Sequence, residues 1–92
     1  MKTLTAVLPV LWLFAYGASA KEAAKLTLNE AKVIALAARS GKVTSVELEK
    51  ESGGSGLRYS FDVHQAGRSY EIGVDANSGV VLEDIVERKN PD

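Results

Sequence analysis

The amino-acid sequence predicts an α+β fold: one N-terminal amphipathic helix packed on a four-stranded antiparallel sheet, in the order α-β-β-β-β. Three observations predict it. An apolar stripe at helical spacing runs through "LTLNEAKVIALAARSGK". From Lys42 onward the apolar period changes from helical to strict alternation. Three short stretches, "ESGGSG", "QAG" and "ANSG", then divide the remainder into four alternating segments.

The helix begins at a capping box. Thr27 is followed three residues later by Glu30, so each side chain can satisfy a backbone N–H that a helix start leaves without a partner. Leu26 precedes the cap, in position to pack on Ala31. Leu28, Ala31, Ile34, Ala35 and Ala38 fall on one stripe, and its alanines let a helix lie close against a sheet. Arg39 suits the negative end of the helix dipole, and Gly41 is expected to supply the left-handed residue that stops the helix.

In "KVTSVELEK", Val46 and Leu48 point one way and Glu47 and Glu49 the other. "ESGGSG" is a loop. "LRYSFDVH" alternates next, with Leu57, Tyr59, Phe61 and Val63 inward and Arg58, Ser60, Asp62 and His64 outward. "RSYEIGVD" sets Tyr70, Ile72 and Val74 inward, and "VVLEDIVE" closes the sheet. Phe61 and Tyr70 share a face only if the loop between their strands holds an even number of residues. A four-residue loop, Gln65 to Arg68, with Gly67 at positive φ, meets that condition. It places Arg58 opposite Asp75 and Asp62 opposite Glu71. The second pair is like-charged, which favours a bulge or a ligand there. Alternation by itself leaves open whether Val80 or Val81 points inward.

The stretch "VDANSGV" has two readings. A calcium loop of the EF-hand kind needs oxygen ligands at its first, third and fifth positions, glycine at the sixth and glutamate at the twelfth. Counting from Asp75, those last three positions hold Gly79, Val80 and Val86. As a hairpin turn every residue has a role: Asp75 accepts backbone N–H groups, Asn77 tolerates turn geometry, and Gly79 takes a positive φ. The turn is the expectation.

The first 20 residues, "MKTLTAVLPVLWLFAYGASA", have the pattern of a secretory signal: Lys2, an apolar run, and Ala18-Ser19-Ala20 before a cut between Ala20 and Lys21. Thr3 to Ala20 is uncharged over 18 residues, the bottom of the range that spans a membrane, and Pro9 interrupts it. Cleavage leaves 72 residues and takes the net charge from −1 to −2. No stable membrane insertion is expected afterwards, and the destination is the bacterial periplasm or the exterior. Residues 21–25, "KEAAK", read as a flexible lead-in, residues 26–89 as one domain, and residues 90–92 as a frayed end. A net negative chain without a basic patch excludes nucleic acid as a partner class. The absence of cysteine excludes disulfides, a lipidated cysteine and thiolate metal sites.

The helix rich in "EA…IAL", the Gly-Lys-Val opening of the first strand, the aromatic "YSFDV" strand and the ending "YEIGVDANSGVVL" together resemble the PepSY domain, over Leu26 to about Ile85. Members often carry Pro-Gly where this chain has Ser40-Gly41. The resemblance favours Val81 as the inward residue. PepSY domains occur in propeptides of thermolysin-type metallopeptidases, in membrane proteins, and alone as short exported proteins. The resemblance therefore implies a peptidase inhibitor or regulator, or a modulator of a membrane sensor, acting on a separate extracytoplasmic protein.

Little in the residues points to catalysis. His64 is the only histidine and sits at a strand end. "ESGGSG" lacks the lysine and following helix of a phosphate loop. No cofactor and no metal site are expected. Glu47, Glu49 and Glu51 form a charged strand face that discourages pairing with other chains; a cationic peptide or a divalent ion is the sharper alternative there. The expected partner-binding residues are Arg58, Asp62, His64 and Glu71, on the exposed face and edge of the sheet. The alternative function is a small-ligand or divalent-metal sensor of the cell envelope, and self-association through a sheet edge is a third expectation.

Overall fold

A computed structural model describes residues 23–88 of the chain. The expected leader, its cut site, and the expected frayed end at Asn90 to Asp92 lie outside the described residues. Helix α1 spans Leu28–Ala38, and strands β1 (Lys42–Lys50), β2 (Leu57–Gln65), β3 (Arg68–Asp75) and β4 (Val81–Val86) follow. The strands form one antiparallel sheet in the order β1-β2-β3-β4, the predicted α+β architecture.

The capping box forms as expected. Glu30 N donates to Thr27 Oγ1 at 3.1 Å, and Thr27 N donates to Glu30 Oε1 at 2.9 Å. Ala31 and Ala35 are buried completely, so the helix presses on the sheet through its smallest side chains. Leu28 departs from the expected stripe: it is 43% exposed, and Ala38 at the other end is exposed too. The covered part of the helix is its middle, because that is where it crosses the sheet.

Gly41 does not cap the helix. The C-cap is Arg39, in an extended conformation, with its N–H donating to Ala35 O at 2.9 Å. Gly41 lies two residues farther on, where a Cβ would collide with the His64 carbonyl. It is required by that close approach to β2. The Gln65 side chain donates to Ser40 O at 2.6 Å and secures the same crossing.

Register follows the parity argument. Arg58 faces Asp75, Phe61 faces Ile72, and Asp62 faces Glu71. The β2–β3 loop is shorter than the four residues expected, since Gln65 and Arg68 pair and only Ala66 and Gly67 turn. Both have positive φ, 51° and 78°, the signature of a two-residue hairpin turn whose twist matches the strands. An even number is kept, so every side chain stays on its predicted face. No bulge interrupts the ladder at Asp62 and Glu71. The bulges fall in the neighbouring ladders, between Val43 and Ser45 and between Gly73 and Val74. The first solves a parity problem in β1: Val43 and Val46 are three apart, and displacing Thr44 lets both pack against the core. The second sets Val81 opposite Val74 on the inner face, though 37% exposed.

The core consists of Leu57, Tyr59, Phe61, Val63, Ile72, Val74 and Ala76 with the two helix alanines. Tyr59 and Phe61 rings lie 6.3 Å apart, and the Tyr59 hydroxyl donates to Leu26 O at 2.8 Å, tying the helix entry to β2. Burial and then Glu30 raise the Tyr59 pKa above its ordinary value. Arg39 lies 3.9 Å over the Tyr70 ring and bridges Asp84 at 3.2 Å, closing the other end of the helix on β3 and β4. Ala24 packs on this core and Lys25 N donates to Asn77 Oδ1, so contacts with the domain begin at Ala24.

Candidate functional site

All strand residues that alternate away from the helix form one outer face, over which no other element lies among the described residues. Its two ends differ. At one end, Asp75 is completely buried where β3 enters the last turn. Its Oδ1 accepts from Ser55 N at 2.7 Å, and its Oδ2 from Ser78 N at 2.8 Å, Ser78 Oγ at 2.9 Å and Asn77 N at 3.2 Å. Burial by itself would raise this carboxyl. The hydrogen bonds from Ser55 and Ser78 more than offset it and hold the group well below the usual carboxylate range. Gly79, at φ 81°, completes the turn, so the hairpin reading of "VDANSGV" holds. The same carboxylate organises the "ESGGSG" loop: a Cβ on Gly54 would collide with Asp75 Oδ1. Asn77 adds a bond to Ser55 Oγ at 2.9 Å.

Arg58 lies flat beside this hub. Only 11% of its side chain is exposed; it donates to Glu83 Oε1 at 3.3 Å and to Ser52 O at 3.1 Å, with Glu51 at 3.8 Å. Gly73 makes this possible, because a Cβ there would meet the Arg58 guanidinium and Glu83 at 3.3 Å. Arg58 is therefore a structural clamp from β2 across β3 to β4.

At the other end the face sinks into an acidic hollow of about 270 Å³, lined by Ser45, Glu47, Glu49, Ser60, Asp62, Glu71 and Glu87. Ser45 Oγ donates to Asp62 Oδ2 at 2.7 Å. Burial first, and then the charges of Glu83, Glu87, Asp62 and Glu49, raise the Glu71 pKa above its ordinary value. Ser60 Oγ is buried with no hydrogen-bond partner.

Of the four residues singled out by sequence, the structure brings Asp62 and Glu71 together in this hollow. It places Arg58 inside the clamp and leaves His64 exposed at the end of β2, outside the hollow's lining. Sequence reasoning missed Glu83 and Glu87. Both come from the last strand and its extension, where apolar residues cluster instead of alternating and the side-chain direction was not legible. The glutamates of β1 were legible as a strand face, but their convergence with Glu71, two strands away, was not.

The sequence model of the PepSY family, described as the peptidase propeptide and YPEB domain, matches residues 25–85. The chain belongs to the PepSY family. No curated protein and no solved structure matches it. The matched span of the PepSY domain takes in the capping box, the Arg58 clamp, the Asp75 hub and all of the hollow except Glu87. No helix among the described residues of this PepSY domain is long and apolar enough to cross a membrane.

Proposed function

We propose that this chain is a non-enzymatic PepSY module that acts outside the cytoplasm by binding another protein, a peptidase or the sensor region of a membrane protein, and modulating it. One observation carries the reading: the sheet is covered on one face only, and its open face holds a concentrated patch of carboxylates. A domain this small has little core to spare for an enclosed catalytic site, and the one histidine is a solvated residue at a strand end. The family description supports a regulatory or inhibitory role. The leader pattern supports action outside the cytoplasm. A metal-sensing role has less support, because no group of three or more histidine, aspartate or glutamate side chains among the described residues is placed to hold an ion.

The test is crosslinking and recovery of the protein from its native envelope, comparing wild type with the double variant Glu47→Lys, Glu49→Lys. Arg58 is a poor target because its loss opens the clamp. The expected outcome is a protein partner held by the wild type and lost from the variant at unchanged thermal stability. Recovery of no partner specific to the wild type overturns the proposal.

A further inference from the structure

Strand β1 is one of the two edges of the sheet, and it is flanked on both faces by an opening. On the outer side lies the acidic hollow, reached past Glu47 and Glu49. On the inner side lies an apolar groove of about 580 Å³ between β1 and the start of α1, lined by Leu26, Leu28, Val46, Leu48 and Tyr59. This groove accounts for the exposure of Leu28, which has no strand beyond β1 to pack on. An extended chain added to an edge directs successive side chains to opposite faces. Any segment pairing with β1 would therefore send one side chain to the groove and the next to the hollow.

A feature independent of the charges points into the same hollow. Ser60 is 9% exposed, its Oγ has no partner, and it sits directly opposite Glu47 in the β1–β2 ladder. A buried hydroxyl without a partner is costly and calls for an occupant. At about 270 Å³ the hollow has room for the end of one long side chain.

We propose, resting on the interaction-module reading above, that β1 receives an extended segment of the partner whose side chains alternate apolar and basic. The backbone of that segment extends the sheet as a fifth strand. Its apolar residues cover Leu28, Val46 and Leu48, and a lysine or arginine between them enters the hollow, bonded by Ser60 Oγ and facing Glu71, Asp62 and Glu47. A second copy of this chain is the wrong occupant, since the outer residues of its own β1 are Ser45, Glu47 and Glu49.

The experiment is an NMR titration of the isotope-labelled protein with a capped heptapeptide, Ala-Lys-Val-Lys-Val-Lys-Ala. Two controls are used: the same peptide with glutamate for lysine, and the same composition in blocks. The expected result is saturable shifts centred on the amides of Val46 to Lys50 and on Ser60 and Glu71, with neither control saturating. Glu71→Gln and Ser60→Ala should each weaken binding by about tenfold, the loss of one charge-assisted hydrogen bond. Ser60→Ala should leave the free protein at least as stable as wild type, which a structural role for the hydroxyl would not. Shifts on β4 in place of β1, saturation by the glutamate peptide, or Ser60→Ala binding as wild type would each overturn the inference. A native partner that still binds a protein whose β1 takes no peptide would overturn this inference and leave the module reading standing. Peptide binding on β1 with no native partner recovered would do the reverse.

Discussion

Asp75 and Glu71 lie on the same strand and the same face, yet their surroundings drive them in opposite directions. Asp75 is the more deeply buried and nonetheless the more acidic, because backbone N–H groups from its own turn and from the "ESGGSG" loop converge on it. Glu71 keeps some contact with solvent but is pushed the other way, by burial and by like charges from three neighbouring segments. Burial is unfavourable to both charges. What separates them is whether donors or other carboxylates surround the group. The first arrangement holds the fold together. The second holds charge at a cost in stability.

The comparison breaks most visibly at Asp75. Asp75→Ala strands the N–H groups of Ser55, Asn77 and Ser78 and should cost about 3 kcal/mol or more, a large share of the stability of a small domain, read from urea unfolding. Gly54→Ala attacks the same hub from the other side. It forces a Cβ against Asp75 Oδ1 at a residue with φ 56°, and should cost about 2 kcal/mol by the same measurement.

Acid titration of stability separates the two carboxylates by sign. The folded pKa of Asp75 is depressed, so its contribution is fully present above the unfolded value of 3.8 and is lost as pH falls below it. The folded pKa of Glu71 is raised above 4.5, so the folded state holds the extra proton and stability declines as pH rises from 4.5 through the raised value. Glu71→Gln should remove that decline and stabilise the neutral-pH protein by about 0.5 kcal/mol, the scale of one like-charged cross-strand pair. A more stable wild type at pH 7 would show that the crowding is relieved by an arrangement other than this one. The last effect belongs to Ser60→Ala, expected to leave stability unchanged or raise it by about 1 kcal/mol, because the buried hydroxyl has no intramolecular bond to lose and its desolvation is relieved.

Much of this fold was legible because it depends on neighbours in sequence. Thr27 and Glu30 are one helical turn apart, so their reciprocal bonds follow from spacing alone. Pairing Arg58 with Asp75, and Asp62 with Glu71, followed from parity, which survived even though the turn proved two residues shorter than expected. The candidate site was legible in part. Asp62 and Glu71 were found by register, while Arg58 shared their outward direction and was drawn into a clamp, because nothing local shows that Gly73 and Glu83 make room for it across the next strand. The bulge at Thr44 was equally invisible, since it reconciles two valines through their shared contact with a core built elsewhere in the chain.

By itself, then, the sequence determined one helix, four strands and the face each residue of the two central strands takes, because helical and strand periodicities are properties of adjacent peptide units. Only the tertiary structure decided which polar groups are satisfied and which are not. Asp75 finds Ser55 twenty residues away, and Glu71 meets carboxylates from β1, β2 and the end of β4. A hydrogen bond or a repulsion between distant segments exists only where the chain's path brings them within a few ångströms, and that path is set by the core as a whole.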